Sequence, residues 1–447
     1  MSTIAAIATP AGRGGVGIVR ISGEAAAFIA KKLSGQKTLS PRQAQLCHWY
    51  DADQSLIDSG VMLYFQMPHS YTGEDVIELQ AHGSPVLLRA LLQRVFDLGA
   101  SPAEPGAFTR RAVENGKMDL SQAEAVIACI DASTLRAAKL AQRHLHGEFG
   151  AKVQSLMHDL TGAVAHVEAC LDFPEEEIPA LLFDQIRADV SEQLVKPIRA
   201  WLATASLGER LFDGVTVAIV GAPNVGKSSL LNALSGRDRA IVSDIPGTTR
   251  DVLEVDFEVD GIPVRLADTA GMRSSNDVIE QEGIRRAEIA ADDADIVLFV
   301  ADASRPETWQ VEYYADDAVN HHGNHHIDIK LMNKTDLAQD DYPEVYLPLS
   351  AKHGIGLDAL MERLAELLGT VDAGEESLLV TRSRHRESLQ FALQHIEQGL
   401  GLLGSEEKFD LVALEWRRGW TSLGEILGIG DIEFILDRVF SEFCVGK

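Results

Sequence analysis

A chain of 447 residues, 46% hydrophobic and 24% charged, has the profile of a soluble globular protein with room for about three domains. Its formal net charge of −27 excludes a surface that grips nucleic acid by phosphate neutralisation along its length; work on RNA would need a basic partner or a local patch. No apolar run reaches the roughly 18 residues of a membrane span, the start MSTIAAIATPAGRGG has no basic leader, and Cys47, Cys129, Cys170 and Cys444 lack metal-ligand spacing, as expected of free thiols in a reducing cytoplasm.

Residues 1–117 alternate β-type runs with turn residues: IAAIATPAG, GVGIVRIS, GVMLYFQM and DVIELQAHG, then the helical stretch PVLLRALLQRVFDLG. This reads as a small α+β domain. Gly12 to Gly17 match the dinucleotide fingerprint G-x-G-x-x-G, but IVRIS follows where that motif requires a helix, so a glycine-rich turn between strands is expected. From Ser121 the period changes. Ser121-Gln-Ala-Glu124 reads as a capping box opening a long amphipathic helix, broken near Gly147 and stopping at Phe173-Pro174. A second helical pair over about 182–211 should be broken by Pro197. Strands alternate with helices from 215 to about 370, and the chain is helical again after Ser383. The simplest architecture inserts an α/β domain (213–375) into a helical domain made of 118–212 and 376–447.

The inserted segment carries chemistry. Gly221-Ala-Pro-Asn-Val-Gly226-Lys227-Ser228 fits G-x-x-x-x-G-K-[ST] between the strand-like VTVAIVG and the helix-like KSSLLNALSG. Backbone N–H groups would wrap phosphates there, Lys227 would reach the β- and γ-phosphates, and Ser228 would ligate Mg²⁺. Downstream, Asp268-Thr269-Ala270-Gly271 follows VRLA, placing Asp268 in the Mg²⁺ outer shell and the Gly271 N–H at the γ-phosphate. Thr249, in Gly247-Thr-Thr-Arg-Asp251, offers a second Mg²⁺ hydroxyl. Asn333-Lys334-Thr335-Asp336 follows IDIKLM. Asp336 can accept from the guanine edge, Asn333 can face O6/N7 and Lys334 can cover the ring, while Ala351 of Ser350-Ala351-Lys352 offers an N–H near O6. The expected GTP-binding set is Asn224, Val225, Gly226, Lys227, Ser228, Ser229, Ser243, Asp244, Ile245, Pro246, Gly247, Thr248, Thr249, Asp268, Thr269, Ala270, Gly271, Asn333, Lys334, Asp336, Ser350, Ala351 and Lys352. Met272 stands where many such enzymes place the Gln that holds the attacking water, and a thioether cannot orient water. His321, His322, His325 and His326 suggest Zn²⁺, but Gly323 interrupts a helix and no further ligand completes a site, so a solvated loop is the reading.

These motifs, with TPAGRGGVGIVRISG, YTGEDVIELQAHG, PGAFTRRA, DLSQAEAV, DFPEEE and the terminal Cys444-Val-Gly-Lys447, resemble the bacterial tRNA-modification GTPase MnmE (TrmE) family from end to end. The resemblance implies a multidomain fold: an α+β folate-binding-like N-terminal domain (1–117) that makes a constitutive homodimer, a discontinuous all-α helical domain, and an inserted α/β Ras-like P-loop G domain. It implies an FAD-dependent MnmG (GidA) partner, in a heterotetramer, and installation of an aminomethyl-type group, built from a tetrahydrofolate one-carbon unit, on C5 of the wobble uridine of certain tRNAs. It further implies K⁺ held by Asn224, Ser243, Ile245 and Thr248, water orientation by Glu280 in place of the missing Gln, and folate contacts from Arg20, Glu78, Lys117 and Lys447. Read without the resemblance, Glu280 and Glu282 are a solvated helix face, and Cys444 could be a nucleophile for one-carbon chemistry or a passive chain end. A ribosome-assembly GTPase is the alternative function; such proteins tend to carry a basic RNA-binding module, and this chain is acidic.

Overall fold

The computed structural model describes residues 2–172, 180–235, 255–267, 291–292, 294–309, 327–337, 342–369, 380–403, 408–430, 433–441 and 443–446. The chain forms two compact units, Met1–Ile127 with Arg143–Asp172 and Ala413–Lys447, and Ala128–Gln142 with Phe173–Val412.

In the first unit, β1 (Ile4–Ile7), β2 (Gly14–Ser22), β3 (Gln45–Tyr50), β4 (Leu56–Phe65), β5 (Val76–Gly83) and β6 (Ser101–Pro102) form one sheet in the order β3-β4-β5-β2-β1-β6. Strand alternation sends Val19, Ile21, Ile77 and Leu79 to one face, where they pack under α1 (Ala26–Ser34) and α2 (Pro85–Asp97). The opposite parity on the same two strands carries Arg20 and Glu78, which are register partners. Strand β2 begins at Gly14, so the GRGGVG stretch runs into a strand, which fits the turn reading and not a dinucleotide-type helix.

After α3 (Ala107–Glu114) comes α4 (Leu120–Asp131), whose start corrects the expected cap. Asp119, not Ser121, is the capping residue: its carboxylate accepts from the Gln122 N–H at 2.8 Å, and the Gln122 side chain accepts from the Asp119 N–H at 3.0 Å. The box is therefore Asp119-Leu-Ser-Gln122, reciprocal as such boxes are. Asp at the cap position is at least as favourable as Ser, and Ser121 instead donates to Asp119 at 2.7 Å.

The helix expected to break once breaks twice, into α4, α5 (Leu135–Leu145) and α6 (Glu148–Asp172). Gly147, at φ +85°, makes the expected break. The other lies at 132–134, where the Thr134 hydroxyl accepts from the Ala137 N–H at 3.2 Å and donates to the Gly261 carbonyl at 2.7 Å. A threonine that caps and also holds a distant hairpin turn fixes the break; periodicity alone carries no sign of it.

The second unit contains β7 (Val215–Val220), β8 (Val255–Val259), β9 (Ile262–Ala267), β10 (Ile296–Asp302), β11 (Ile327–Asn333) and β12 (Leu347–Pro348) in the order β12-β11-β10-β7-β9-β8. All neighbours are parallel except β8 and β9. Such a sheet is buried on both faces, which is why VTVAIV and IVLFVAD read as continuous apolar runs. The core on one face joins the sheet to α9 (Lys227–Ser235) and α10 (Leu357–Leu368). Strand β7 lies between β9 and β10, so the chain order reverses there, and ligands of open α/β sheets bind beyond the strand ends at such a point.

Pro197 does not break its helix. α7 (Ala180–Val190) passes through a π turn, Ser191–Val195, into α8 (Lys196–Asp213), and the Lys196 N–H reaches back five residues to the Ser191 carbonyl. The widened turn relieves the clash between the proline ring and the carbonyl four residues earlier, so the chain stays helical. Further along α8, a Cβ on Gly208 would run into the Val380 carbonyl at the entrance to α11 (Ser383–Leu402). Gly208→Ala is expected to cost about 1–3 kcal/mol by overpacking, read as a lower urea midpoint; an unchanged midpoint contradicts this close crossing. Among the described residues no helix is long and apolar enough to cross a membrane. α12 (Phe409–Leu427) and α13 (Glu433–Ser441) complete the helices named here.

Candidate nucleotide site

Strand β7 delivers the chain at Gly221 into a loop that closes on the first turn of α9. Gly221 (φ +146°) and Gly226 (φ +103°) adopt backbone that L side chains avoid, and a Cβ on them would strike the Val300 carbonyl and the Asn333 amide respectively. These contacts explain the glycines at both ends of the motif. Lys227 folds over the loop, its Nζ donating to the carbonyls of Gly221 (2.7 Å) and Ala222 (3.0 Å). Ser228 and Ser229 are exposed at the helix start, where N–H groups and the helix dipole favour anions. Val225 is buried. Asn224 is an exposed non-glycine residue at φ +64°, and its carboxamide makes no hydrogen bond among the described residues.

Two further loops meet this one. Asn333 ends β11 beside it, buried to 2% exposure. Its amide donates to the Val225 carbonyl at 2.8 Å and accepts from the Ala351 N–H at 3.0 Å. The expectation placed both Asn333 and the Ala351 N–H on the guanine edge. Here the two groups bond to each other, and Asn333 braces the phosphate loop against the 350–352 turn, with one amide N–H and one lone pair left over. Lys334, at φ +63°, reaches across to the Asn224 carbonyl at 2.7 Å and to Asp302 at 2.6 Å. Asp336 accepts from the Ser350 hydroxyl at 2.5 Å and lies 3.5 Å from His353. The Ser350 bond, with lesser help from His353 and Lys352, holds its carboxyl below the ordinary range. The turn is closed by Ser350 and Ile355 bonding each other's backbone. Lys352 is exposed.

Sequence reasoning missed Asp302. It ends β10 with no exposed surface, and accepts from the Ser304 N–H (3.0 Å), the Ser304 hydroxyl (2.7 Å) and Lys334. Burial alone would raise its carboxyl, but these bonds and the lysine charge outweigh it and the pKa lies below the usual value. The signal available was an acid at the carboxyl end of the apolar run IVLFVAD, where a parallel sheet places its functional groups. Ser243, Asp244, Ile245, Pro246, Gly247, Thr248, Thr249, Asp268, Thr269, Ala270, Gly271, Glu280, Glu282, the histidines at 321, 322, 325 and 326, and Lys447 lie outside the described residues. Among the described residues no cluster of His, Cys, Asp and Glu could hold a metal ion.

The other expected site lies in the first unit. Arg20 donates through Nε (3.1 Å) and Nη2 (2.9 Å) to one oxygen of Glu78, Oε1, and through Nη1 to the Gly446 carbonyl at 3.3 Å. Its guanidinium lies 5.5 Å from the Tyr71 ring centroid and 5.6 Å from that of Phe108. Two residues named separately from sequence are thus one ion pair, roofed by aromatics and joined by the C-terminal tail. Val445 bridges to Pro105, and a Cβ on Gly446 would collide with the Ile7 carbonyl, so the tail is seated tightly. Cys444 is exposed on this tail. Lys117 donates to the Pro68 carbonyl at 3.1 Å, and its stem packs near Gly73. Arg20, Glu78 and Lys117 therefore border the 67–75 loop.

Family models match nearly the whole chain: the GTP-binding protein TrmE N-terminus over residues 3–117 and the MnmE helical domain over residues 120–444. A tRNA modification GTPase MnmE of Dichelobacter nodosus is 44% identical over 447 residues, covering 100% of this chain and 99% of its own length. One from Hydrogenovibrio crunogenus is 43% identical over 452 residues, covering 100% and 98%. Among solved structures, the G domain of the T. maritima FeoB iron transporter is 31% identical and covers 34% of this chain and 97% of its own, at a TM-score of 0.26. The full-length matches agree with a phosphate loop at the reversal point of a parallel sheet: the chain belongs to the tRNA modification GTPase MnmE family.

Proposed function

We propose that this GTPase is activated by K⁺ and works with an FAD-dependent MnmG (GidA)-type partner to build the 5-carboxymethylaminomethyl-type modification on the wobble uridine of certain tRNAs. The division into 1–117, 118–212 with 376–447, and 213–375 belongs to this reading. So do a cytoplasmic location, a homodimer through the N-terminal domain, and a heterotetramer whose partner holds most of the tRNA. The net charge of −27 supports that last assignment, since an acidic chain repels a polyanion.

The observation that carries the potassium reading is Asn224, whose carboxamide oxygen stands in the phosphate loop without a protein partner among the described residues. A bound monovalent cation there would stabilise negative charge growing between the β- and γ-phosphoryl groups, as an arginine finger does. Asn224 supplies a hard oxygen; Ser243, Ile245 and Thr248 would complete the ligand set. Ser228 and Thr249 would hold Mg²⁺, with Asp268 in its outer shell, and exposed Ser228 at a helix start fits that role. Asp336 reads the base, and Glu280 orients the attacking water.

A tetrahydrofolate derivative, bringing a one-carbon unit, would be held by Arg20, Glu78, Lys117 and Lys447. The donor set fits: a guanidinium and an ammonium suit the folate carboxylates, Glu78 suits the pterin donor edge, and the half-buried Tyr71 beside Arg20 offers an aromatic edge. Cys444 lies two residues before Gly446, whose carbonyl accepts from Arg20. Mass analysis of wobble uridines in cells lacking the protein tests the biological assignment. The modified nucleoside should disappear and return on complementation; unchanged modification removes the tRNA role and leaves the GTPase standing.

A further inference from the structure

We propose that Asp302 is a positioning residue for nucleotide retention: its carboxylate holds the Lys334 ammonium against the Asn224 carbonyl and so latches the base-contacting loop to the phosphate loop. The proposal rests on the guanine-nucleotide reading of these loops and adds to it a residue outside all the expected motifs.

The geometry is over-determined at one end and strained at the other. Asp302 has no exposed surface, and its carboxylate is fixed by two bonds from Ser304. Its backbone is fixed as well: its N–H donates to the Thr308 hydroxyl at 3.0 Å, and its carbonyl accepts from the Trp309 indole at 2.8 Å and the Arg305 N–H at 2.9 Å. The acid therefore cannot follow a moving partner. Lys334 and Asn224 are both non-glycine residues in the left-handed region, at φ +63° and +64°, a conformation that persists only where surroundings hold it. One ammonium joins them, at 2.7 Å from the Asn224 carbonyl and 2.6 Å from Asp302. The Lys334 side chain is 29% exposed, so water competes for that ammonium. Without a fixed negative partner it has less reason to stay between the two loops. The lysine stem would then leave the base, and the Asn224 backbone would lose its restraint. Both changes free bound nucleotide, and neither impedes its arrival, so the effect belongs in the dissociation rate.

The test uses the full chain and fluorescent mant-GDP, with association and dissociation measured by stopped flow. Asp302→Asn keeps the shape and removes the charge. It should raise the dissociation rate about tenfold or more while the association rate stays within about threefold. The double variant Asp302→Asn with Lys334→Ala should dissociate no faster than Lys334→Ala alone, since the acid acts through the lysine. A dissociation rate equal to wild type in folded Asp302→Asn overturns the proposal, and so does a double variant in which the two effects multiply. Should Asp302→Asn fail to fold, Ser304→Ala decides: about threefold faster release supports the latch, and an unchanged rate overturns it. A wild-type chain that does not bind mant-GDP saturably would instead remove the nucleotide reading itself, and the latch with it.

Discussion

Exchanging potassium for sodium chloride at equal ionic strength is expected to slow GTP turnover by about 10²-fold, the scale of losing one preorganised electrostatic contact to the transition state. The loop geometry says why Asn224 should be the sensor. Its backbone sits at φ +64°, which Asn tolerates better than most residues, and Lys334 holds its main-chain carbonyl at 2.7 Å. The backbone is therefore fixed while the carboxamide has no hydrogen bond among the described residues. Na⁺ is smaller and more tightly hydrated than K⁺, so it gives up its water less readily for a carboxamide oxygen. The informative variant is Asn224→Gly, because Gly removes the amide and keeps the left-handed backbone without strain; Asn224→Ala would confound the two. Asn224→Gly should bind mant-GDP and should turn over at the slow sodium rate in either salt. Equal phosphate release by the wild type in both salts ends the potassium reading.

Where the sequence is punctuated by its own chemistry, it predicts the fold well. The apolar run 215–220, the glycines at 221 and 226 and the helix-forming KSSLLNALS place strand, loop and helix, because each is set by local sterics and burial. Errors arise where two local solutions compete or where the partner is distant. Asp119 and Ser121 are both good caps, and nothing short of the Gln122 bond chooses between them. Pro197 reads as a break because a single π turn leaves no compositional mark. The break at Thr134 depends on a carbonyl at Gly261, far along the chain. The site divides in the same way. The phosphate-loop lysine and Asp336 belong to motifs with fixed spacing. Asp302 matters only because the parallel order of β10 and β7 brings its carboxylate to the loops after β7 and β11. The motif points Asn333 at a base, and it carries no sign of the two bonds that also tie its amide to Val225 and Ala351.

Glu280→Ala is expected to lower kcat by about 10²–10⁴-fold while leaving mant-GTP affinity unchanged, the usual span for a positioned acid–base group. The need for such a residue follows from Met272, which cannot hold water where other GTPases use a glutamine. Two acids follow in VIEQEGI, Glu280 and Glu282. Glu282→Ala is the control, and its kcat should stay within about twofold of wild type, as for a surface substitution away from the chemistry. Glu280→Gln separates two roles. A glutamine amide can orient water as a carboxylate does but cannot take its proton, so partial activity in Glu280→Gln marks orientation, and activity as low as in Glu280→Ala marks proton abstraction. Wild-type turnover in Glu280→Ala, or a comparable loss in Glu282→Ala, would move the catalytic acid elsewhere. With mant-GTP affinity unchanged and the rate read in a single turnover, a loss reports on the chemical step and not on binding or product release.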